Sequence, residues 1–388
     1  MTRQQLVIVG NPTCRRVGFW KAAAARVSWP PPIVVPYTGL LAEKLRLADF
    51  LSENTLVRFE VAADHWPTFK LLLKHGATAA LAEGYDALDD DAVDLLEYDR
   101  GWLINPRQAH LGFVRLLQEL EQELKRPGAS SLHGEDDIAL CFDKVHCQER
   151  LRRAGVSIPE SFGSPRDYTE VRAIARDEDR LMVKLAHGSG AAGCVALHWS
   201  RGRVHALTPV ANVVVDGQKR LYCSKRIRHL TNEVEIAKLI DRLCVEKVQV
   251  ERWLPKATWQ GRNFDLRIVT IDGAPRHAVM RSSRSVFTNL TLGNTRGDLV
   301  AVQQRMGPDA WQGLCNTCER VAALFPYSFT LGLDVLIRPD FARHAVLEIN
   351  AFGDLLLNQL DRGEDTYTAT LAAWSRRLRP TISLGDGR

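Results

Sequence analysis

Near the C-terminus, two apolar runs, LGLDVLIR (331–338) and HAVLEIN (344–350), are separated only by PDFAR (339–343), whose Pro339 and Asp340 are turn formers. That pattern predicts an antiparallel, mostly buried pair of strands. Side chains alternate across a strand, so Leu347, Ile349 and Ala351 face one way and Glu348 and Asn350 the other. If Arg338 pairs with His344, Asp334 falls opposite Glu348. Like charges so opposed destabilise a ladder, but a divalent cation between them reverses the sign. Asn350 adds an amide oxygen on the same face. The bland alternative is a salt-bridged pair at a sheet rim, and the apolar flanks argue against it.

The rest of the chain sets bounds. Its 388 residues suggest two or three structural units. A net charge of +5 suits an anionic ligand but falls short of a nucleic-acid footprint, so no nucleic-acid partner is expected. The opening MTRQQLVIVGNP holds only a short apolar run, and no later stretch approaches the roughly 18 residues of a membrane span. A cytoplasmic protein without a membrane partner is expected. Eight cysteines are scattered, and Cys315 and Cys318 form one isolated pair that reads as thiols on a core helix.

LVIVG reads as a buried strand, RRVGFWKAAAARV as a helix, PPPIVVPY as a spacer leading into a second strand and TLVRFEV as a third. WPTFKLLLKHGA is helical and is expected to stop at Gly76. The alternation predicts a small open α/β domain. NPRQAHLGFVRLLQELEQELKR is a strong helix with Asn105 as its N-cap and Pro106 in first position. RPGASSLHGEDD (126–137) is the expected linker.

GSGAAG (188–193) matches the G-x-G-x-x-G dinucleotide fingerprint by its letters alone. That fingerprint works only between a strand and the helix that receives the pyrophosphate. Here RLMVKLA precedes and CVALHWS follows, so both flanks are strand-like. The loop is a hairpin tip whose N–H groups can cradle phosphates. Lys184, inside the apolar strand before it, is costly unless its ammonium meets an anion. A second lysine, Lys144, starts a helix that ends near Gly155.

Taken in order, Lys144, Lys184 with its glycine hairpin, VERWL, FDLRIV, MRSSRSVFTNLTLGN and GLDVLIR…VLEIN resemble the ATP-grasp superfamily. From FDLRIV onward they are most similar to the branch of ribosomal-protein glutamate ligases and related peptide ligases. The resemblance implies an α/β (α+β) chain with the ATP-grasp fold: an N-terminal open α/β domain (1–125), a central lid subdomain (138–252) and a C-terminal antiparallel-sheet subdomain (253–378). It implies that Lys144 and Lys184 contact ATP phosphates beneath a flap formed by Gly188, Ser189, Gly190 and Gly193. Gln249, Glu251, Trp253 and Leu254 would belong to the hinge strand that holds the nucleotide. Asp265 and Arg267 would line the site, with Arg281 meeting the γ-phosphate, Asn289 near phosphates and metal, and Asp334, Glu348 and Asn350 holding Mg2+. Leu185 stands where relatives often have proline, and Ala191 and Ala192 leave the flap without a polar residue, which bears on flap kinetics more than on nucleotide binding.

The implied activity is an ATP-dependent carboxylate–amine (or carboxylate–thiol) ligase working through an acyl phosphate. Its substrates would be a small acid or peptide and an amine. The alternatives are a kinase that phosphorylates a hydroxyl, with Asp265 as its base, and a nucleotide-binding module without catalysis. The basic run of Lys219, Arg220, Lys225, Arg226 and Arg228 reads as a solvated edge or as a docking surface for an acidic partner.

Overall fold

The computed structural model describes residues 4–125, 128–215, 217–352 and 356–378. Four parallel strands, β1 (Gln5–Val9), β2 (Ile33–Val35), β3 (Thr55–Phe59) and β4 (Ala129–Ser131), lie in the order β2-β1-β3-β4. Alternation splits β1 between two layers: Leu6 and Ile8 pack with Trp20 of the helix Arg15–Arg26, while Val7 and Val9 pack with Leu72 and Phe113 of the helices Trp66–Ala82 and Pro106–Leu124.

Three expectations need correction here. The segment 126–137 is no plain linker, because β4 pairs in parallel with β3 and a helix begins at Glu135; Arg126 and Pro127 lie outside the described residues. The helix expected to end at Gly76 runs on to Ala82. Gly76 is where it crosses its partner: a Cβ there would meet Gln108 O at 2.0 Å, and one on Gly112 would meet Leu72 O at 2.0 Å. Asn105 sits at the N-cap in a left-handed conformation (φ 35°) without a capping bond, its amide donating instead to Asp86 O and Gln108 Oε1. The N–H of Arg107, at the start of the helix, donates to Glu246 Oε2 at 3.1 Å, so a distant carboxylate does the capping.

The lid is a five-stranded antiparallel sheet: β5 (Arg180–Leu185), β6 (Val195–Ser200), β7 (Arg203–Val215), β8 (Gln218–Leu230) and β9 (Val248–Arg252), in the order β8-β7-β6-β5-β9. It has its own core with the helix Glu233–Cys244. The outer edge of β8 is capped, as Leu103 N–H donates to Leu221 O and Cys223 N–H to Gly101 O.

A second antiparallel sheet contains β10 (Thr258–Trp259), β11 (Arg262–Ile271), β12 (Ala274–Ser283), β13 (Thr295–Arg296), β14 (Thr330–Ile337) and β15 (His344–Asn350). Its order is β13-β12-β11-β14-β15, with β10 on β11. The side chains under it join the core of the N-terminal sheet, and Cys318 of the helix Pro308–Ala323 is buried there. Asp334 does pair with Glu348, but by another route. Ile337, not Arg338, faces His344, and a bulge at Leu347 restores the register.

Candidate active site

A cleft separates the lid from the second antiparallel sheet. On the lid side β5 runs straight into the glycine loop and out through β6, paired antiparallel with it from Val183 and Val195. No helix opens after Gly193, so the loop can offer N–H groups but no helix dipole. Gly190 holds a positive φ of 62°, and its carbonyl accepts from Thr291 Oγ1 at 3.1 Å, which rests the loop on the segment between β12 and β13. Lys184 projects into the cleft and pairs with Glu251 on β9. Burial works against its ammonium, but Glu251 outweighs it and holds the pKa above the ordinary lysine value. Lys144 opens its helix behind Asp143, whose carboxylate accepts from the N–H groups of Val145 and His146. Its Nζ donates to Gly188 O and lies 3.2 Å from Glu348 Oε1.

The floor and walls are apolar, from Met182, Trp253, Leu254, Phe287, Leu336 and Leu347. The bulge puts both Leu347 and Glu348 on the cleft face, which strict alternation forbids. Among the expected nucleotide contacts Gly193 does not line the cleft, and neither does Gln249. Gln249 is fully buried, and neither polar atom of its amide has a partner among the described residues.

Charges cross the second antiparallel sheet in register, with Arg281 opposite Asp265, Arg267 opposite Asp334 and Asp334 opposite Glu348. Arg281 Nε lies 2.8 Å from Asp265 Oδ1, and its Nη2 lies 3.0 Å from Asp334 Oδ2. Arg267 Nε stands 2.9 Å from Asp334 Oδ1. Lys256, which the sequence reading missed, lies 3.0 Å from Asp265 Oδ2 and donates to Thr288 Oγ1 at 2.6 Å. Burial keeps Lys256 below the ordinary lysine value although Asp265 pulls the other way. Burial also pushes Asp265 toward neutrality, but Arg281 and Lys256 outweigh it and hold the carboxyl far below its usual range.

Mg2+ fits the residues present. Asp334 Oδ1 is buried and, among the described residues, makes no hydrogen bond despite its proximity to Arg267. Burial disfavours the Glu348 carboxylate, but Lys144, Lys184 and Arg267 outweigh it and keep the group ionised. Asn350 Nδ2 donates to Gly332 O at 3.3 Å, which leaves its Oδ1 to accept. Among the described residues no three His, Cys, Asp or Glu gather as a metal cluster. The set is two carboxylates and an amide, which suits magnesium when phosphates complete its shell.

Behind the row lies a second cavity of about 360 Å3. Asp334, Glu348, Arg281 and Asn289 line both spaces, whereas Arg267 and Asn350 face only the second. Here the N-terminal domain contributes Arg15, Arg16 and Asp64, which sequence reasoning missed because nothing local marks them. Arg16 is bound to Glu60 at 2.8 Å and to Asp64. Arg296 on β13 lies opposite Arg281, two like charges side by side, the arrangement that an anion relieves.

The basic run at 219–228 is split. Arg220 lies over the Trp102 ring at 4.1 Å and Arg228 binds Glu235 at 2.9 Å, which leaves Lys219, Lys225 and Arg226 exposed. No helix among the described residues is long and apolar enough to cross a membrane.

No protein-family model and no curated protein matches the sequence. Solved structures do match. The chain is similar to the ATP-grasp ligase PsnB complexed with a minimal precursor, at TM-score 0.52 and 15% identity over 97% of this chain and 100% of that one. It is similar to a Chryseobacterium gregarium RiPP-associated ATP-grasp ligase in complex with ADP and a leader and core peptide, at TM-score 0.52 and 12% identity over 96% and 97%. The biotin carboxylase domain of a Hydrogenobacter thermophilus 2-oxoglutarate carboxylase, in complex with MgADP and bicarbonate, aligns at TM-score 0.51 and 12% identity over 92% of this chain and 66% of that one.

Proposed function

From the ATP-grasp fold, which this chain has, we propose that the protein is an ATP- and Mg2+-dependent ligase that activates a carboxylate as an acyl phosphate and passes the acyl group to an amine. One observation carries the reading: Arg281, Asp334 and Glu348 form a shared wall between the cleft of the two lysines and an arginine-lined cavity. A nucleotide in the cleft would point its phosphates at this wall, and an acid in the cavity would meet them from the other side.

Lys184 would exchange Glu251, and Lys144 would exchange Gly188 O, for phosphate oxygens. Arg281 would lie along the charge that develops during transfer, held in place by Asp265 and Asp334. Magnesium, held by Asp334, Glu348 and Asn350, would neutralise phosphate charge. The acid, oriented by Arg296 and its arginine neighbours, attacks the γ-phosphorus through a carboxylate oxygen and ADP leaves. An amine then attacks the acyl carbon and phosphate leaves.

A kinase needs a carboxylate free to take a hydroxyl proton. Asp265 is a poor candidate, since Arg281, Lys256 and Thr288 occupy both its oxygens. An acid carried on an acidic peptide would also suit the exposed Lys219, Lys225 and Arg226. Two of the similar ligases are complexed with precursor or leader and core peptides.

Hydroxylamine tests the proposal. With an acid substrate present and the amine withheld, a hydroxamate should form together with ADP, and Arg281→Ala should suppress it by about 10²–10³-fold. A stable phosphoester formed with one-to-one ADP, and no hydroxamate, would make the enzyme a kinase.

A further inference from the structure

The arginine-lined cavity continues into an apolar one. The two share Val61, Phe142, Ser189 and Phe352. The apolar cavity has a volume of about 130 Å3 and is walled by Leu72, Ala109 and Phe113 from the two crossed helices. Its remaining side is a pair of stacked imidazoles, His110 and His187, with centroids 3.9 Å apart and planes at 13°. The hydrogen bonds of His187 fix it as neutral. Arg107 Nη1, which can only donate, lies 2.5 Å from Nε2, and Phe142 O, which can only accept, lies 3.1 Å from Nδ1. The proton therefore sits on Nδ1.

We propose that this cavity receives the side chain of the acceptor, so that the carboxylate substrate carries an aromatic or branched aliphatic group. The inference rests on the ligase reading and narrows its substrate. Size favours such a group, since a cavity of about 150 Å3 lined by Leu, Ile and Phe binds benzene. Chemistry favours it too. A charged or amide side chain would lose water there and meet an apolar wall beside the imidazole of His187, whose nitrogens are already engaged. Ser189 lines the nucleotide cleft and both cavities, so an occupant would also touch the flap.

The test is calorimetric titration of 3-phenylpropionate and of propionate into the protein with Mg2+ and a non-hydrolysable ATP analogue. Burying the ring should make 3-phenylpropionate about ten- to a hundredfold tighter. Ala109→Leu, which fills the cavity, should bring the two acids within about threefold while nucleotide affinity holds. Ala62→Leu, on a different wall, serves if the first variant does not fold. Equal affinities in the native protein, or a preference that survives in a folded filled variant, would overturn the proposal. Failure of the ligase reading is a separate result, seen as no ADP formed with any acid. The affinity ratio needs no turnover and still decides the pocket.

Discussion

The two sheets that face each other across the cleft treat their buried charges differently. On the second antiparallel sheet the buried charges interlock: Arg281 bridges Asp265 and Asp334, Asp265 also holds Lys256, and Asp334 also meets Arg267. On the lid side, Lys184 relies on Glu251 and Lys144 on a flap carbonyl and Glu348. The first arrangement is fixed before any substrate arrives, as preorganised catalysis requires. The second consists of contacts that phosphate oxygens can replace. On the proposed function, the interlocked charges would stand where the transition state forms, and the exchangeable ones where a ligand enters and leaves.

The largest expected effect follows from breaking the interlocked side. Asp334→Asn or Glu348→Gln should cut ATP turnover by at least about 10³-fold, since charge neutralisation and positioning fail together, while circular dichroism stays native. Magnesium-dependent turnover surviving in either variant would remove both residues from the metal site. Stability should respond next. Asp265→Ala leaves Arg281 and Lys256 buried side by side, which should cost about 3–5 kcal/mol by urea denaturation. A loss below about 1 kcal/mol would mean that the row is not interlocked.

On the exchangeable side, Lys184→Ala should weaken ATP binding about ten- to a hundredfold, the worth of one charge-assisted contact. NAD should not bind the native protein, because the glycines open no helix; tight NAD binding in the same titration would overturn that argument.

The seam between lid and N-terminal domain gives a pH-dependent effect. Burial, helped by Arg107, pushes His110 down from its ordinary 6.5 to about 3. The folded state therefore binds fewer protons than the unfolded one between those values. Stability is full above about pH 6.5 and is lost as pH falls toward 3. At pH 5 the loss from this one histidine is roughly 2 kcal/mol relative to pH 7. His110→Phe should remove it, flattening the acid limb of a plot of urea midpoint against pH. An unchanged limb would refute the assignment.

Much of this was legible in the sequence wherever a local rule coincided with the tertiary answer. The opposition of Asp334 and Glu348 follows from two apolar strands and a short turn. The bulge at Leu347 does not, because nothing in HAVLEIN distinguishes a regular strand from a bulged one. The expected register was off by one at the turn and correct at the carboxylates. Gly76 looked like a helix stop because a lone glycine says nothing of a neighbouring helix packed against it. β4 was lost in a polar linker, since a three-residue strand of Ala129, Ser130 and Ser131 has no apolar signal. Lys256 stands in an irregular connector where periodicity is silent, and Arg15, Arg16 and Asp64 reach the site only through packing between domains.

The smallest expected effect probes the place where sequence and geometry part. In β9, alternation puts Gln249 on the same side as Glu251, and the family resemblance implies that this strand holds the nucleotide. Val248 and Val250 fill the lid core on the other side. Yet Gln249 stops short of the cleft, with its amide buried and unpaired among the described residues. A buried amide without partners costs about 1–3 kcal/mol in desolvation, and replacing it with an apolar group of similar shape recovers part of that. Gln249→Met should therefore leave ATP affinity within about twofold and keep or raise the urea midpoint, by up to about 1 kcal/mol. Lys184→Ala in the same titration sets the scale of a true contact. If Gln249→Met instead weakens ATP binding tenfold or more, the amide turns toward the nucleotide when it binds, and β9 belongs with the exchangeable half of the site along its whole length.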